Sequence, residues 1–393
     1  LVFFVFACGY FLSCLLRAIT ATLSPLLSSE FNLMAGDLGL LAGGYFLGFA
    51  SMQIPLGYLL DNYGPKKIVS SFLLIAIVGT GSFALAESFT GLLISRVFIG
   101  IGVSACLMGP LTGYRIWFAD NYQQRANAWM LMVLSMGFVF STLPVQILLP
   151  IIGWRWIFGG IAILIFLVII LTLIFIPSWK SVNNKEKEPS SGSLSDVWKN
   201  KFFRSTIPLG LFNYGGIIAV QTLWAGPWMV RVAGYEPLES ATGLFWINLT
   251  MLVAFFVWGY FLPKINKYGL ETMKLISFGL PISYVSLLVI ILSGENAGAI
   301  HFAVYMLASI VLTLMQPAVA LSFPPSLAGK SLTSFNLLIF LGTFIMQWGI
   351  GLVIDLCQFL GKEEVQSFKI SFTVYLIICI FSYLYFMMKN KNE

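Results

Sequence analysis

The sequence predicts an all-α membrane protein: twelve transmembrane helices in two pseudo-symmetric six-helix bundles. Three observations carry that prediction. Only 10% of the 393 residues are charged, while 59% are hydrophobic; a soluble domain carries about 25% charged residues, and so sparse a set cannot clothe a water-soluble surface of this size. The apolar residues fall in long unbroken runs, each near the roughly 20 residues that cross about 30 Å of hydrocarbon as a helix. One long hydrophilic stretch, 178–204, divides those runs into two sets. A cytosolic enzyme, a disordered chain and a small disulfide scaffold are excluded. A transmembrane β-barrel would show alternating segments of about ten residues, and the long runs are unlike that.

In chain order the runs cover 2–25, 38–60, 68–87, 90–114, 126–150, 154–177, 205–230, 240–262, 271–293, 297–321, 331–355 and 368–388. The loops between them are mostly short, so neighbouring helices are antiparallel. The first run is too long for a signal peptide, carries Arg17 and lacks a small-residue cleavage site. It opens on Leu1 without an initiator Met, so an N-terminal tail is expected ahead of it. The stretch Asn183-Asn-Lys-Glu-Lys-Glu-Pro-Ser-Ser-Gly-Ser has linker composition. Leu194 to Phe203 reads as a short helix lying on the membrane face. The expected units are thus an N-terminal bundle over 1–177, a cytoplasmic linker over 178–204 and a C-terminal bundle over 205–393. The halves echo each other: Gly57-Tyr58-Leu59-Leu60 is followed by Tyr63-Gly64, and Gly259-Tyr260-Phe261-Leu262 by Tyr268-Gly269, as in carriers built from two related halves.

The net charge is +6. Lys66, Lys67, Arg115, Arg125, the basic residues of the linker, Lys264, Lys267, Lys274, Lys330, Lys389 and Lys391 fall on one side. The opposite loops hold Arg155, Arg231, Lys362 and Lys369. Basic residues stay on the cytoplasmic side, so both termini are placed there, in a bacterial inner membrane. That asymmetry accounts for the positive balance without nucleic acid. The five cysteines form no CxxC pair, and His301 is the only histidine. The cysteines read as packing residues. A histidine metal site or a Ser-His-Asp triad has almost nothing to draw on, so no metal, cofactor or catalytic residue is expected.

The sharpest motif is Gly57-Tyr-Leu-Leu-Asp61-Asn-Tyr-Gly64-Pro65-Lys66-Lys67, after the second run. Gly57 allows close approach of another helix, and Gly64 a tight turn. Asp61 is suited to accept from helix N-terminal amides and to pair with an Arg. The motif resembles the signature loop of the major facilitator superfamily, G-x-L-x-D-x-x-G-x-[RK]-[RK], with Asn62 where the family often has Arg. Ser95-Arg96-Val-Phe-Ile-Gly100-Ile-Gly102 resembles the family's R-x-x-x-G-x-G segment, and Gly153-Trp154-Arg155-Trp156-Ile157-Phe158 its G-W-R-x-x-F. Arg125-Ala-Asn-Ala opens the fifth run, and Gly351 and Asp355 end the eleventh. The resemblance implies the major facilitator fold and alternating access. It assigns gating to Gly57, Asp61, Gly64, Lys66, Lys67, Arg96 and Arg125, with substrate contact as the alternative for Arg96, and it implies a monomer. Arg17, Tyr45, Gln53-Ile-Pro55-Leu-Gly57 and Pro65 are similar to the family's organic-anion and organic-phosphate branches. Some of those carriers place a second Arg in the seventh span, which is absent from 210–228.

Tyr10, Ser13, Arg17, Thr20 and Ser24 share one helical face. An ionisable residue within the bilayer costs about 2.5–3.5 kcal/mol on the insertion scale and usually faces a cavity. Arg17 therefore reads as the ligand of an anionic group, the alternatives being an Arg snorkelling outward or a bond to carbonyls of a neighbouring helix. Tyr45, Asn213, Tyr214, Gln221, Trp224, Trp246, Tyr305, Gln316, Asn336 and Gln347 complete the candidate substrate-binding set, each with an alternative as an interhelical tie. No carboxylate lies deep in any run, which disfavours proton coupling through a central acid and favours exchange or facilitated diffusion. The expected function is secondary transport of a small polar metabolite, anionic or zwitterionic. A neutral substrate such as a nucleoside or amino acid is the alternative, as is a non-transporting sensor on the same fold. The partners implied are that small-molecule substrate, the lipid bilayer and a candidate coupling ion.

Overall fold

A computed structural model describes residues 1–178, 193–267 and 272–390. Among the described residues all regular structure is helical. Lipid requires this of a spanning chain, since backbone polar groups there must pair within the segment or in a closed barrel. The first half holds α1 (Val2–Phe31), α2 (Ala35–Ser51), α3 (Gln53–Ala84), α4 (Phe89–Val103), α5 (Ala105–Trp117), α6 (Asp120–Phe140) and α7 (Leu143–Phe175). The second begins with α8 (Leu194–Lys199), α9 (Lys201–Pro208), α10 (Gly215–Ala219) and α11 (Ala225–Arg231). It continues through α12 (Pro237–Lys267), α13 (Thr272–Ser293), α14 (Ala299–Ala308), α15 (Met315–Leu321), α16 (Pro325–Phe359) and α17 (Glu364–Lys389).

Among the described residues, nine helices are long and apolar enough to cross a membrane. The runs at 38–60, 126–150 and 205–230 are helical but interrupted, which hydropathy does not anticipate. The first breaks at Met52, between α2 and α3. Pro55 has no N–H for the Ser51 carbonyl, and the Ser51 hydroxyl turns back on Gly48 O at 2.7 Å. The second breaks at Ser141 and Thr142, whose hydroxyls donate to Phe138 O and Val139 O, local bonds that compete with the helical ladder. In the third, π-helical turns at Leu209–Tyr214 and Val220–Trp224 separate α9, α10 and α11.

The loop expected over Asp61–Lys67 is shorter than the sequence suggests. Helix α3 runs through it, and the break is at Gly64 (φ 76°, ψ 163°), a backbone conformation open essentially to glycine. Gly153 breaks α7 in the same way. The expected surface helix at 194–203 also differs. It forms α8 and the start of α9, with Val197 and Phe203 fully buried in the second-half core, because aromatic and branched side chains gain from leaving water. The linker residues 179–192 and the Tyr268-Gly269 echo lie outside the described residues.

Buried apolar side chains gather in two clusters. One draws on residues from Val5 to Ile176. The other draws on residues from Val197 to Phe386, joined by Ala21, Leu38 and Ala42 of α1 and α2. Glycine sets the closest approaches in each. A Cβ on Gly100 would strike the carbonyl of Tyr45, and one on Gly102 the backbone of Ala76, so small residues let α4 approach both α2 and α3 closely. Where the halves meet, α2 lies against α16: a Cβ on Gly39 would strike Gln347 O, and one on Gly351 would strike Ala35 O. At the same end Asp355 accepts from Ala35 N and Gly36 N at 3.0 and 2.7 Å, satisfying two free amides at the start of α2. Glu30 ties α1 to α7, accepting from Trp154 Nε1 at 2.8 Å and Arg155 Nη1 at 2.7 Å.

Candidate functional site: a cavity between the halves

Between the two halves lies a cavity of about 460 Å³. Its wall takes Tyr10 and Arg17 from α1, Phe49 from α2, Gln53 from α3, and Tyr214 and Gln221 from the two π turns. Met251, Phe255 and Trp258 of α12 line it too, with Ser309, Thr313 and Gln316 of the α14–α15 region and Asn336 and Phe340 of α16. Six residues picked from sequence therefore come together: Tyr10, Arg17, Tyr214, Gln221, Gln316 and Asn336. The π turns matter here, since a widened turn re-aims the residues on it.

Arg17 is only 6% exposed, yet among the described residues it has no ion-pair partner. Its Nε is buried without a hydrogen bond. The guanidinium carbon sits 5.1 Å from the Phe49 ring centre and 5.3 Å from that of Phe340, with Tyr45 at 6.0 Å. Phe49 belongs to the first half and Phe340 to the second, their rings 4.5 Å apart, so Arg17 lies under an aromatic bridge between halves. Cation–π contacts supply part of what a counterion would. Across the cavity the polar groups are neutral amides: Gln221 Nε2 donates to Asn248 Oδ1 at 3.0 Å, and Gln316 Nε2 to Asn336 Oδ1 at 2.6 Å.

The other candidate ligands are placed elsewhere. Ser13 Oγ shares a 3.3 Å hydrogen bond with the Tyr45 hydroxyl, behind the cavity wall. Asn213 donates to Cys379 O and Ser382 Oγ and accepts from the Tyr284 hydroxyl. The Tyr305 and Tyr375 hydroxyls bond each other at 2.8 Å. Trp224 Nε1 donates to Gln347 O, and Gln347 Nε2 to Thr222 Oγ1. These are ties between helices, where buried polar groups find partners. Trp246 is 58% exposed and lines a separate apolar groove of about 530 Å³, formed by α12, Leu307 and Ile310.

The motif residues divide similarly. Arg96 is buried and donates from Nη1 to Leu16 O at 2.8 Å. It therefore holds α1 beside Arg17 and does not line the cavity. Asp61, Lys67 and Arg125 are exposed and Lys66 half-buried, and among the described residues Asp61 forms no ion pair. Gly57 has nothing near its missing Cβ, contrary to the close approach expected there. The close seam is instead at the Gly39 and Gly351 end.

Sequence reasoning missed Phe49, Phe340 and Trp258. Phe49 was recoverable, since Tyr45, Phe49 and Gln53 recur every fourth residue.

Long apolar helices, paired cores and a cavity between halves define a multi-pass membrane protein of carrier architecture. The chain belongs to the Major Facilitator Superfamily, whose family model matches residues 6–346. It is 22% identical over 59% of its length to the probable sulfoacetate transporter SauU of Cupriavidus necator, and 30% identical over 56% to the inner membrane transport protein YajR of Escherichia coli. The matches span 57% and 47% of those two proteins, less than two thirds of either. A bacterial homologue of the human lysosomal transporter Spinster, in an inward-facing unoccupied conformation, shares the fold with a TM-score of 0.78 at 15% identity, over 99% of this chain and 96% of that one. The similar proteins named here are transporters.

Proposed function

We propose that the chain is a secondary transporter of a small anionic metabolite, working by alternating access. One observation carries the reading: a buried guanidinium with no counterion, on the wall of a cavity between two halves. Burying a charge without a partner is costly, so the site gains when an anion arrives. The likeness to a sulfoacetate carrier agrees with an anionic cargo. In this reading the units 1–177 and 205–393 rock about the cavity, with 178–204 as the linker between them. The loop charges place both termini in the cytoplasm of a bacterial inner membrane, and the protein acts as a monomer. The Gly39–Gly351 end is then the outer one, and it is closed here. Gly57, Asp61, Gly64, Lys66, Lys67 and Arg125 form the inner latch, engaged in the opposite state.

A thermal-shift screen of the purified protein against a metabolite collection tests this, since ligands that bind the folded state stabilise it. Anionic compounds are expected to stabilise the wild type. Arg17→Gln should weaken them by about 10- to 100-fold, the loss of a charge-assisted contact of about 1.5–3 kcal/mol. The two amide pairs favour a second reading, a neutral cargo; it is supported if neutral compounds stabilise both proteins alike. Uptake of the stabilising compound into liposomes separates a carrier from a sensor.

A further inference from the structure

Among the described residues Arg17 is the sole formal charge on the cavity wall. No Asp, Glu or Lys accompanies it there. The polar groups facing it are neutral, and two amide pairs already satisfy part of each other. The rest of the wall is mostly aromatic, sulfur-bearing or aliphatic, with Phe138, Phe255 and Trp258 beside Met108, Met251 and Met306; Gln53, Ser104, Ser309 and Thr313 also line it, but each donates to a carbonyl three or four residues back along the chain.

The geometry points to a cargo with one negative charge, no positive charge, and an aromatic or branched aliphatic body: an apolar monocarboxylate or monosulfonate. This rests on the reading of Arg17 as the anion site and adds the charge count and the nature of the body. A zwitterion would bring its cationic end into a cavity that offers no carboxylate and already holds a guanidinium. A dianion would bury a second charge without a partner, which is expensive. A hydroxyl-rich acid would meet mostly apolar side chains and polar groups whose donors are already engaged, leaving several of its hydroxyls unbonded. An aromatic or branched body instead removes apolar surface from water, and methionines adapt their shape to it. The Phe49–Phe340 pair adds ring faces next to the anion site, where offset or edge contacts are favourable.

Titration calorimetry on the full-length purified protein tests the proposal with benzoate, benzenesulfonate, lactate, terephthalate, 4-(aminomethyl)benzoate and benzamide. Benzoate and benzenesulfonate are expected to bind at least about tenfold tighter than the other four. Arg17→Gln should lower benzoate affinity to that of benzamide, while Arg17→Lys, which keeps the charge, retains part of it. If lactate or terephthalate binds as tightly as benzoate, or benzoate does not bind while another anion does, the apolar monoanion class is overturned and the anion site stands. If benzamide matches benzoate and Arg17→Gln changes nothing, both fall.

Discussion

Gly39→Val and Gly351→Val are expected to yield folded protein that no longer transports. Each places a side chain where the structure holds backbone of the other half, Gln347 O in one case and Ala35 O in the other. Overpacking costs about 1–3 kcal/mol, occasionally more. Here the cost falls only on the conformation in which α2 and α16 touch at that end. The closed population should therefore drop by roughly 5- to 150-fold, while each half keeps its own core and the melting temperature moves little. Gly100→Val is the contrast. Its Cβ meets Tyr45 O inside the first half, so every conformation bears the strain, and expression and melting temperature should fall together. The two classes separate in one experiment that reads thermal stability beside uptake into liposomes. Equal destabilisation by Gly39→Val and Gly100→Val would contradict a seam that opens.

Asp355→Ala is expected to open the same end with a smaller loss of fold stability. The carboxylate takes two amide protons from the start of α2, at Ala35 and Gly36, across the boundary between halves. Hydrogen bonds to a charged group are worth about 1.5–3 kcal/mol each, and one near a helix N-terminus gains from the dipole as well. Asp355→Asn keeps one acceptor oxygen and should fall between Ala and wild type. Spin labels at the exposed positions Met34 and Phe359, in a Cys8→Ser background, would report the spacing of the two helix ends. A longer distance should gain population in the order Asp, Asn, Ala. An unchanged distribution in Asp355→Ala would show that the glycine seam closes this end unaided.

The helical class was legible, as were the nine spans that are long, apolar helices among the described residues, because burial in lipid leaves a coarse signal, a long run without charge. Arg17 was legible because a cation inside such a run is costly, and Tyr10 followed from its place on the same helical face. Gly100 and Gly102 stand two residues apart and so face different neighbours, Tyr45 and Ala76, which the spacing of the motif does not name. Three kinds of feature were not legible. Breaks at Met52, Ser141 and the π turns depend on local carbonyl partners that hydropathy does not weigh. Asn213, Tyr305 and Gln347 look like ligands in a list of polar residues, but a buried amide or hydroxyl serves equally well as a tie, and only the neighbouring helix decides. Phe340 was hidden by abundance: with 35 phenylalanines in the chain, one on a cavity wall does not stand out unless, like Phe49, it shares a polar helical face. Gly57 and Asp61 carry a motif that stands out in the sequence, while among the described residues Asp61 forms no ion pair and Gly57 has no close neighbour.

The wide turns at Leu209–Tyr214 and Val220–Trp224 store winding. Each i→i+5 turn takes up one residue more than an α turn, and one residue corresponds to about 100° of rotation. A segment carrying two such surpluses behaves like a screw with slack in its thread: passing a surplus along the helix spins the side chains between while the ends stay put. Excising Leu211 should turn the first wide turn into an α turn, the surplus absorbing the lost residue, so that Gln221 keeps its aim into the cavity. Ligand affinity and melting temperature should then both move little, and a large loss of either would show that the neighbouring helices hold the wide turns in place.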